Sequence, residues 1–330
     1  MLGLGNTLSG GIVPAAADAY ADAFIFTMNT ELAGSATKTF VLPLVDDGSI
    51  DFNVDWGDDS TSNITAYDDA AVTHVYDATG TYTVKLAGTI RGWKFNNGGD
   101  RRKMLNISQW GDFNFTVERG MRGCTVLTCT ATDAPTISTS SMYFGLAQCK
   151  AFDGAIGNWD MSGVSNIQYL FYDCEAFNQS IDAWDVSSVT SLYSTFSNMD
   201  VFNQPLNSWD ISSVTAMGYM FSSASQFNQP LSNWDTSNVI DMSRAFKDAD
   251  NFDQSLADWD IEGVQQFTNT FMSGVTLSTA NYDATLIAWA AQDASNSEVV
   301  DFGNSTYTAA PAAGGVARQR LIDDDSWTIT

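Results

Sequence analysis

The stretch "FNQPLNSWDISSVTAMGYMF" at residues 202–221 decides how this chain folds, because it recurs at a fixed spacing. Twenty-five residues earlier, at 177–196, stands "FNQSIDAWDVSSVTSLYSTF". Twenty-five residues later, at 227–246, stands "FNQPLSNWDTSNVIDMSRAF". Self-similarity at a fixed period of this size is typical of proteins that stack one structural unit on the next. The sequence therefore predicts a stack of 25-residue coils.

Columns of apolar residues run through five copies of the repeat without an insertion or deletion. They are Phe152, Phe177, Phe202, Phe227 and Phe252; Trp159, Trp184, Trp209, Trp234 and Trp259; Val164, Val189, Val214, Val239 and Val264; and Phe171, Phe196, Phe221, Phe246 and Phe271. Burying the roughly seven apolar side chains of one coil contributes roughly 10–20 kcal/mol. Ordering its 25 residues costs roughly 25–50 kcal/mol. A coil should therefore fold only against its neighbours, with identical residues stacked as ladders.

Polar columns follow the same period. One contains Asn178, Asn203 and Asn228, with Asp153 and Asp253 at its ends. Another is the Asp that follows each repeated Trp. Short polar side chains of this kind hydrogen-bond to backbone groups. Both columns are predicted to bridge the backbones of adjacent coils.

Three of the four cysteines share the 25-residue spacing. Cys124, Cys149 and Cys174 form one column, which continues as Met199 and then as small residues. This column indicates a divergent first coil before residue 146, and it favours buried free thiols. A stacked disulfide and a metal site are the alternatives.

The repeat resembles the BspA-like leucine-rich repeats of bacterial and phage surface proteins, in which FNQ-x-L-x-x-W-D-x-S-x-V-x-x-M-x-x-M-F recurs at this period. The resemblance covers residues 146–271. It implies a leucine-rich-repeat-like solenoid that serves adhesion and surface display.

A different composition precedes the repeats. The stretch "FVLPLVDDGSIDFNVDWGDDSTSNITAYDDAAVTHVYDATGTYTVKLAG" at residues 40–88 alternates apolar and polar residues between Gly/Asp turns, which is typical of a small β-sandwich. Its "VDWGDDS" and "THVYDATGTYTVKL" resemble a PKD-type, immunoglobulin-like domain over about residues 22–90, with Asp59 where that motif usually has Gly. The resemblance implies a spacer or contact module.

The segment after Phe271 is predicted to close the stack. Ser278 and Thr279 form a helix-start signal, and Leu286, Ile287, Trp289 and Ala290 follow at helical spacing. A strand, a second helix around residues 316–322 and a final strand are expected beyond it. The similar tail of BspA-like proteins supports this interpretation.

The predicted fold class is mainly β: a PKD/Ig-like β-sandwich, then a leucine-rich-repeat-like solenoid with a small α/β C-terminal cap. The predicted divisions are an N-terminal extension or anchor at 1–21, the sandwich at 22–90, a junction with the divergent first coil at 91–145, five repeats at 146–271, and the cap at 272–330.

The sequence contains few residues that could support catalysis or bind a cofactor. Phosphate-binding loops and zinc-ligand pairs do not occur, and no cofactor is predicted. The single histidine, His74, is expected to pack or to make a structural hydrogen bond. Asp55, Asp58 and Asp59 are candidate Ca²⁺ ligands at a sandwich turn, with an ordinary Asx turn as the alternative. The chain is predicted not to be an enzyme.

Seven of the fourteen basic residues cluster just after the sandwich motif. They are Arg91, Lys94, Arg101, Arg102, Lys103, Arg119 and Arg122, whereas residues 141–271 contain 16 acidic and 3 basic side chains. One interpretation is charge pairing at the junction between sandwich and repeats. The other is a docking surface for an acidic partner or a neighbouring subunit.

The net charge of −25 disfavours nucleic acid and anionic membrane as partners, and no apolar run is long enough for membrane insertion. We expect a virion surface protein (a decoration, fibre or tail-associated protein) that contacts other virion structural proteins or its own copies and adheres to a host surface glycan or protein. This expectation rests on the missing export signal and wall anchor, and on the phage-like opening "MLGLGNTLSGG". A bacterial secreted or cell-surface adhesin is the alternative. A glycan-active enzyme is a more remote one.

Overall fold

The computed structural model describes residues 20–267, 270–292, 299–324 and 326–329. These residues form a mainly β fold with two short helices, as predicted. The strands are β1 (Phe24–Asn29), β2 (Thr39–Val41), β3 (Asp51–Asp55), β4 (Thr61–Ile64), β5 (Thr73–Val75), β6 (Thr81–Thr89), β7 (Met104–Gln109), β8 (Asn114–Phe115), β9 (Thr128–Cys129), β10 (Thr136–Ile137), β11 (Val299–Val300) and β12 (Thr328–Ile329). The helices are α1 (Thr279–Trp289) and α2 (Ala313–Asp323).

A six-stranded sheet in the order β4-β3-β6-β1-β7-β9 forms the N-terminal part. Its pairs are antiparallel except β7–β9, which is parallel. In β1 the alternate residues Phe24, Phe26 and Met28 are fully buried, because successive side chains of a strand point to opposite faces. The core therefore lies on one face of this sheet.

A smaller sheet and the first coil both join this core. Strands β2 and β5 pair antiparallel, and the Phe40 ring of β2 lies 5.7 Å from that of Phe26. Strands β7 and β9 extend the large sheet beyond residue 90 with a parallel pair. This one sheet includes strands on both sides of residue 90. A domain boundary at residue 90 stays a prediction.

The 25-residue segments stack in parallel. Single β-bridges join Ser141 to Asn166 and then repeat with the same shift as far as Gln266. Further along each coil, backbone N–H groups donate to carbonyls 24 residues later, as from Phe171 to Thr195 at 3.1 Å. Each coil is thus bonded to the next at fixed register.

The apolar columns form ladders inside the stack. Rings of Phe177 and Phe202, and of Phe202 and Phe227, are 6.1 Å apart with planes within 13° of parallel. The repeated Trp indoles donate to a carbonyl of the preceding coil, as from Trp209 Nε1 to Ile181 O at 3.1 Å. Trp159, which faces the divergent first coil, has a buried Nε1 without such a partner among the described residues. The regular ladder of indole hydrogen bonds therefore begins one coil later, where Trp184 Nε1 donates to Ile156 O at 2.9 Å.

The asparagine column bridges adjacent coils, which confirms the prediction. Asn203 N donates to Asn178 Oδ1, and Asn228 N donates to Asn203 Oδ1, both at 2.9 Å. At the end of the stack Ser278 N donates to Asp253 Oδ1 at 2.7 Å, so the same ladder continues into the start of α1.

The prediction for the Asp after each Trp was wrong. Asp210 Oδ1 accepts from Ser212 N at 3.0 Å and from Ser212 Oγ at 2.6 Å, within its own coil. Asp185 and Asp235 make the same turn with the serine two residues on. The carboxylate forms an Asx turn instead of an inter-coil bridge, because it reaches the N–H and hydroxyl groups of the serine two residues on in its own coil.

All four cysteines are free thiols, and Cys124, Cys149 and Cys174 are buried, as predicted. The Sγ of Cys174 donates to Leu146 O of the preceding coil at 3.1 Å. Thr195 lies in the next coil and in another column, and its Oγ1 likewise donates to Ile167 O of the preceding coil at 3.1 Å. These side chains act as short inter-coil donors.

The predicted helices and strands after residue 277 are present as α1, β11, α2 and β12. Helix α1 lies on the last coil: Trp289 Nε1 donates to Leu256 O at 2.9 Å, and Leu256 N donates to Thr285 Oγ1 at 3.0 Å. Leu286 is fully buried, but Ile287 is 44% exposed. The expectation that Ile287 faces the coil was wrong, because Ile287 lines a cleft between α1 and α2.

None of the helices in the described ranges is long and apolar enough to cross a membrane. The predicted extension at 1–21 lies outside the described residues except for its last two positions.

Candidate functional site

A row of aromatic and arginine side chains lies where each coil turns. One residue per coil has a left-handed backbone there: Arg119, Phe144, Tyr169, Ser194, Tyr219 and Arg244, with φ between 52° and 65°. The backbone N–H of Tyr169 donates to Tyr193 O of the next coil at 3.1 Å. Such inter-coil bonds hold a conformation that is otherwise costly for a residue with a side chain. The turn therefore presents one side chain per coil at a defined position.

We call this surface the arginine–tyrosine face. It consists of Arg119, Arg122, Tyr143, Phe144, Tyr169, Tyr172, Tyr193, Tyr219 and Arg244, all of them half-buried.

The aromatic rings of the face form a continuous chain. The Phe144 and Tyr169 rings stack at 4.4 Å with planes 6° apart. Tyr193 lies 5.5 Å from Tyr169 and 5.4 Å from Tyr219. Each ring therefore packs against the next along the face.

A cleft of about 320 Å³ opens between the rings. Four tyrosines line it (Tyr169, Tyr172, Tyr193 and Tyr219), and so do the small polar residues Ser194, Ser197, Asn198 and Ser222. Aromatic walls with a few polar groups are typical of small-molecule sites, which range upward from about 300 Å³. No lining residue of this cleft is charged.

Arginines occupy both ends of the face. The guanidinium of Arg122 lies 4.1 Å from the centre of the Phe144 ring, and that of Arg119 lies 5.2 Å from the Tyr143 ring. At the other end Arg244 packs 5.1 Å from the Tyr219 ring and donates to its hydroxyl. Cations over ring faces are favourable, and more so when partly desolvated.

Two pKa shifts follow from this packing. Burial raises the pKa of the Tyr193 hydroxyl, and the neighbouring Tyr169 raises it further. Burial lowers the pKa of Arg122, and repulsion from Arg119 acts in the same direction. The hydroxyl of Tyr193 is therefore a neutral hydrogen-bonding group at neutral pH.

The predicted basic cluster divides between several environments. Arg91 pairs with Asp47 at 3.6 Å, which fits the charge-pairing interpretation. Lys94 is half-buried and Arg102 is exposed. Arg119 and Arg122 belong to the arginine–tyrosine face. The structure brings these two together and places the others elsewhere.

Lys103 is not a surface residue, so its assignment to a docking surface was wrong. Its side chain is fully buried, and Nζ donates to the carbonyls of Ser35, Ala36 and Thr39 at 2.6–3.3 Å. Asp100 lies 3.4 Å from the same Nζ. The carbonyls and one carboxylate replace the water that this cation would otherwise keep.

The three candidate calcium ligands differ in their surroundings. Asp55 pairs with Lys85 at 3.3 Å. Asp58 accepts from Ser60 N at 3.2 Å, which is an Asx turn, and lies 2.8 Å from His74 Nε2. Asp59 has a left-handed backbone, φ 67°.

Calcium binding by Asp55, Asp58 and Asp59 stays a prediction. Among the described residues, no group of three His, Cys, Asp or Glu side chains is arranged to hold a metal. His74 stacks on Trp56 at 4.5 Å, which together with its contact to Asp58 confirms its structural role.

The tyrosines of this face were not predicted from the sequence. Their signal is that Tyr143, Tyr169, Tyr193 and Tyr219 occupy two adjacent columns, in which the other positions include Phe, Arg, Ser, Gly and Gln. Because the aromatic residue changes column from coil to coil, a search for identical columns does not find it.

A family model described as "Mycoplasma protein of unknown function, DUF285" matches residues 138–233 and, in a second match, residues 190–305. The two matches overlap and together cover just over half of the chain. No curated protein and no solved structure matches the chain.

Proposed function

The chain belongs to this DUF285 family, which is associated with BspA-like repeat proteins, and from that membership we propose that it is a non-catalytic surface protein. Its stacked coils mediate assembly contacts and adhere to a host cell surface.

The observation that carries the proposal is the arginine–tyrosine face. It runs across successive coils, its side chains are fixed by ring contacts 4.4–5.5 Å apart, and it includes a cleft. Recognition groups repeated on a rigid support favour several weak contacts at once, and linked contacts raise overall binding strength.

We also propose the finer architecture given by the resemblances. The parallel 25-residue register supports a leucine-rich-repeat-like solenoid. The antiparallel strands β1, β3, β4 and β6 facing the β2–β5 pair support a PKD-type sandwich. The contacts of α1 with Leu256 support a C-terminal cap.

Two settings are open for this protein. The first is a virion surface, with residues 1–21 as the segment that attaches it to other virion proteins or to copies of itself. The second is a bacterial cell surface, which the family description favours because it names a bacterial genus. The adhesive role is the same in both.

The assignment as non-catalytic is supported by what the prominent carboxylates do. Asp185, Asp210 and Asp235 occur once per coil and each binds its own serine. An enzyme's paired carboxylates would occupy one place and face a reacting group.

The test is binding of the fluorescently labelled full chain to candidate host cells. Saturable binding that unlabelled chain displaces is expected. A variant with Tyr193 and Tyr219 changed to Ser should bind weakly, whereas the exposed Tyr67→Ser control should bind like the unchanged protein. Binding that is not displaced, or no binding to any candidate host, contradicts adhesion. Peptide identification in purified virions, compared with antibody labelling of intact bacteria, then separates the two settings.

A further inference from the structure

The arginine–tyrosine face has features that identify the chemistry of its ligand. The cleft walls combine aromatic rings with hydroxyl and amide groups of Ser194, Ser197 and Asn198, without a charged lining residue. A sugar ring matches such walls, because it has apolar C–H faces for the rings and hydroxyls for the polar groups.

The backbone of this face disfavours a peptide strand as the ligand. The N–H groups of Phe144, Tyr169 and Ser194 donate to carbonyls of the following coil at 3.0–3.2 Å. Adding a peptide strand requires unpaired N–H and C=O groups at a sheet edge. Side chains rather than main chain must therefore make the contacts.

Guanidinium groups beside the cleft lack anionic partners. The Nε atoms of Arg119 and Arg122 are buried without a hydrogen-bond partner among the described residues. Neither of these arginines takes part in the ion pairs found in the described part of the chain. This is unexpected in a chain with 39 acidic and 14 basic residues.

The polar contacts near these arginines leave most of their N–H groups unused. Arg122 Nη1 reaches Asn96 Oδ1 only at 3.4 Å. The nearby Glu118 instead accepts from Ser141 Oγ at 2.6 Å. A guanidinium has five N–H donors, and its planar fork matches a carboxylate or sulfate.

The arginines and the cleft are adjacent. Arg122 lies on one side of the Phe144 ring at 4.1 Å, and the Tyr169 ring that lines the cleft stacks on Phe144 at 4.4 Å. One extended ligand can therefore contact both.

We propose that the arginine–tyrosine face binds an acidic carbohydrate chain. A sugar unit occupies the cleft between Tyr169, Tyr193 and Tyr219, and a carboxylate or sulfate of the same chain pairs with Arg119 and Arg122. The inference deepens the proposed adhesion, and it rests on that function only for the source of the glycan, a cell surface.

The test is calorimetric titration of the full chain with defined pairs of probes. These are sialyllactose against lactose, and oligogalacturonate against its methyl ester, with a heparin oligosaccharide as a sulfated probe. At least one acidic probe should bind at least about tenfold more tightly than its neutral counterpart or, for heparin, than lactose. Its affinity should fall as salt is added, because ions screen the arginine contacts.

Two variants assign the binding to this face. Ser197→Tyr fills the cleft, and it should fold because Tyr172 occupies the same column one coil earlier. We expect its affinity to fall about tenfold or more. The double variant Arg119→Gln with Arg122→Gln should bind the acidic probe about as weakly as the neutral one. Tyr67→Ala and Arg320→Gln, which lie outside the face, are the matched controls.

Several outcomes overturn the inference. They are no binding by any acidic probe, equal binding of acidic and neutral partners, and unchanged binding by the cleft variants. If Ser197→Tyr does not fold, Ser222→Tyr in the same column replaces it. Adhesion to cells that persists in variants without carbohydrate binding overturns the cell-surface source of the glycan but leaves the proposed function intact. Carbohydrate binding without cell adhesion refutes the proposed function alone.

Discussion

At the scale of single residues, the side-chain amide of each column asparagine holds two coils together. Asn203 Oδ1 accepts from Asn228 N and from Gln229 Nε2, both at 2.9 Å. Its own N–H donates to Asn178. Removing the amide leaves a half-buried N–H of the next coil without an acceptor.

Asn203→Ala is expected to lower the free energy of unfolding by about 1–3 kcal/mol, the cost of an unsatisfied buried donor. Urea denaturation measures this value. Asn203→Asp is the matched control, since Asp153 and Asp253 occupy the same column and keep the acceptor. Equal losses in both variants would contradict the role of the acceptor.

The Asx turns predict a pH effect. Hydrogen bonds from the Ser212 side chain and backbone hold the pKa of Asp210 below its ordinary value. A depressed pKa means that the ionised form stabilises the fold above the unfolded pKa, and that this stability is lost as the pH falls through the folded pKa. Ser212→Ala should raise the pKa of Asp210 towards its ordinary value.

NMR titration of the carboxyl carbons measures that pKa. Asp235, whose turn uses Ser237, should titrate unchanged in the same variant and provides the internal control. An unaltered Asp210 would show that the serine hydroxyl is not what stabilises its charge.

The buried cation Lys103 gives a further prediction. Lys103→Met leaves Asp100 buried without its counter-charge, and removing one partner of a buried pair costs about 3–5 kcal/mol. Thermal and urea unfolding should both show a large loss. Arg102→Met, at the exposed neighbouring position, should change stability little. A loss in the first variant no greater than in the second would contradict the assignment of Lys103 to the core.

The same residues show what the sequence could and could not predict. The repeat phase alone predicted the ladders of Phe202 and Asn203, since periodic residues must stack when coils do. Burial of Lys103 depends on carbonyls of Ser35 and Thr39, more than sixty residues away, and no local pattern reports that contact. The row of contacting aromatic rings depends on how two adjacent columns lie relative to each other in three dimensions, and the repeat period does not give that arrangement.

At the scale of elements, helix α1 and its N-cap residue supply hydrogen-bond donors that continue the ladders of the stack. Trp289 supplies the indole donor that a sixth coil would have supplied, and Ser278 supplies the backbone donor to Asp253. The helix start was predictable from Ser278 and Thr279. Which side of α1 faces the coil was not, because Leu286 and Ile287 are equally apolar.

Leu286→Ala is expected to destabilise the end of the stack by about 2–5 kcal/mol, because it leaves a cavity at a fully buried position. Ile287→Ala, at the 44% exposed neighbour, is the matched control and should cost much less. Amide hydrogen exchange of the last coil, around Leu256 and Trp259, measures the local opening. Similar exchange in both variants would contradict the docked orientation of α1.

At the scale of the whole molecule, the stack should tolerate loss of a complete coil. Deleting residues 202–226 joins Val201 to Phe227 and keeps every column in phase. The shortened protein should fold as a monomer with a smaller free energy of unfolding, since one set of neighbour contacts is lost. Circular dichroism and urea denaturation measure both properties.

Deletion of residues 202–225, one residue fewer, is the control. It displaces the following columns by one position, so apolar side chains should become exposed and bind a hydrophobic dye. Equal stability of the two deletions would show that the register between coils is not what holds the stack.

The strict register of the β-bridges has a consequence for inheritance. Neighbouring coils joined in this way are about 4.8 Å apart. Recombination between two copies of the repeat in the gene adds or removes whole coils in frame, and thus changes the length of the protein in fixed steps. A population can therefore vary how far the molecule extends, and how many coils carry aromatic turns, without inventing a new fold.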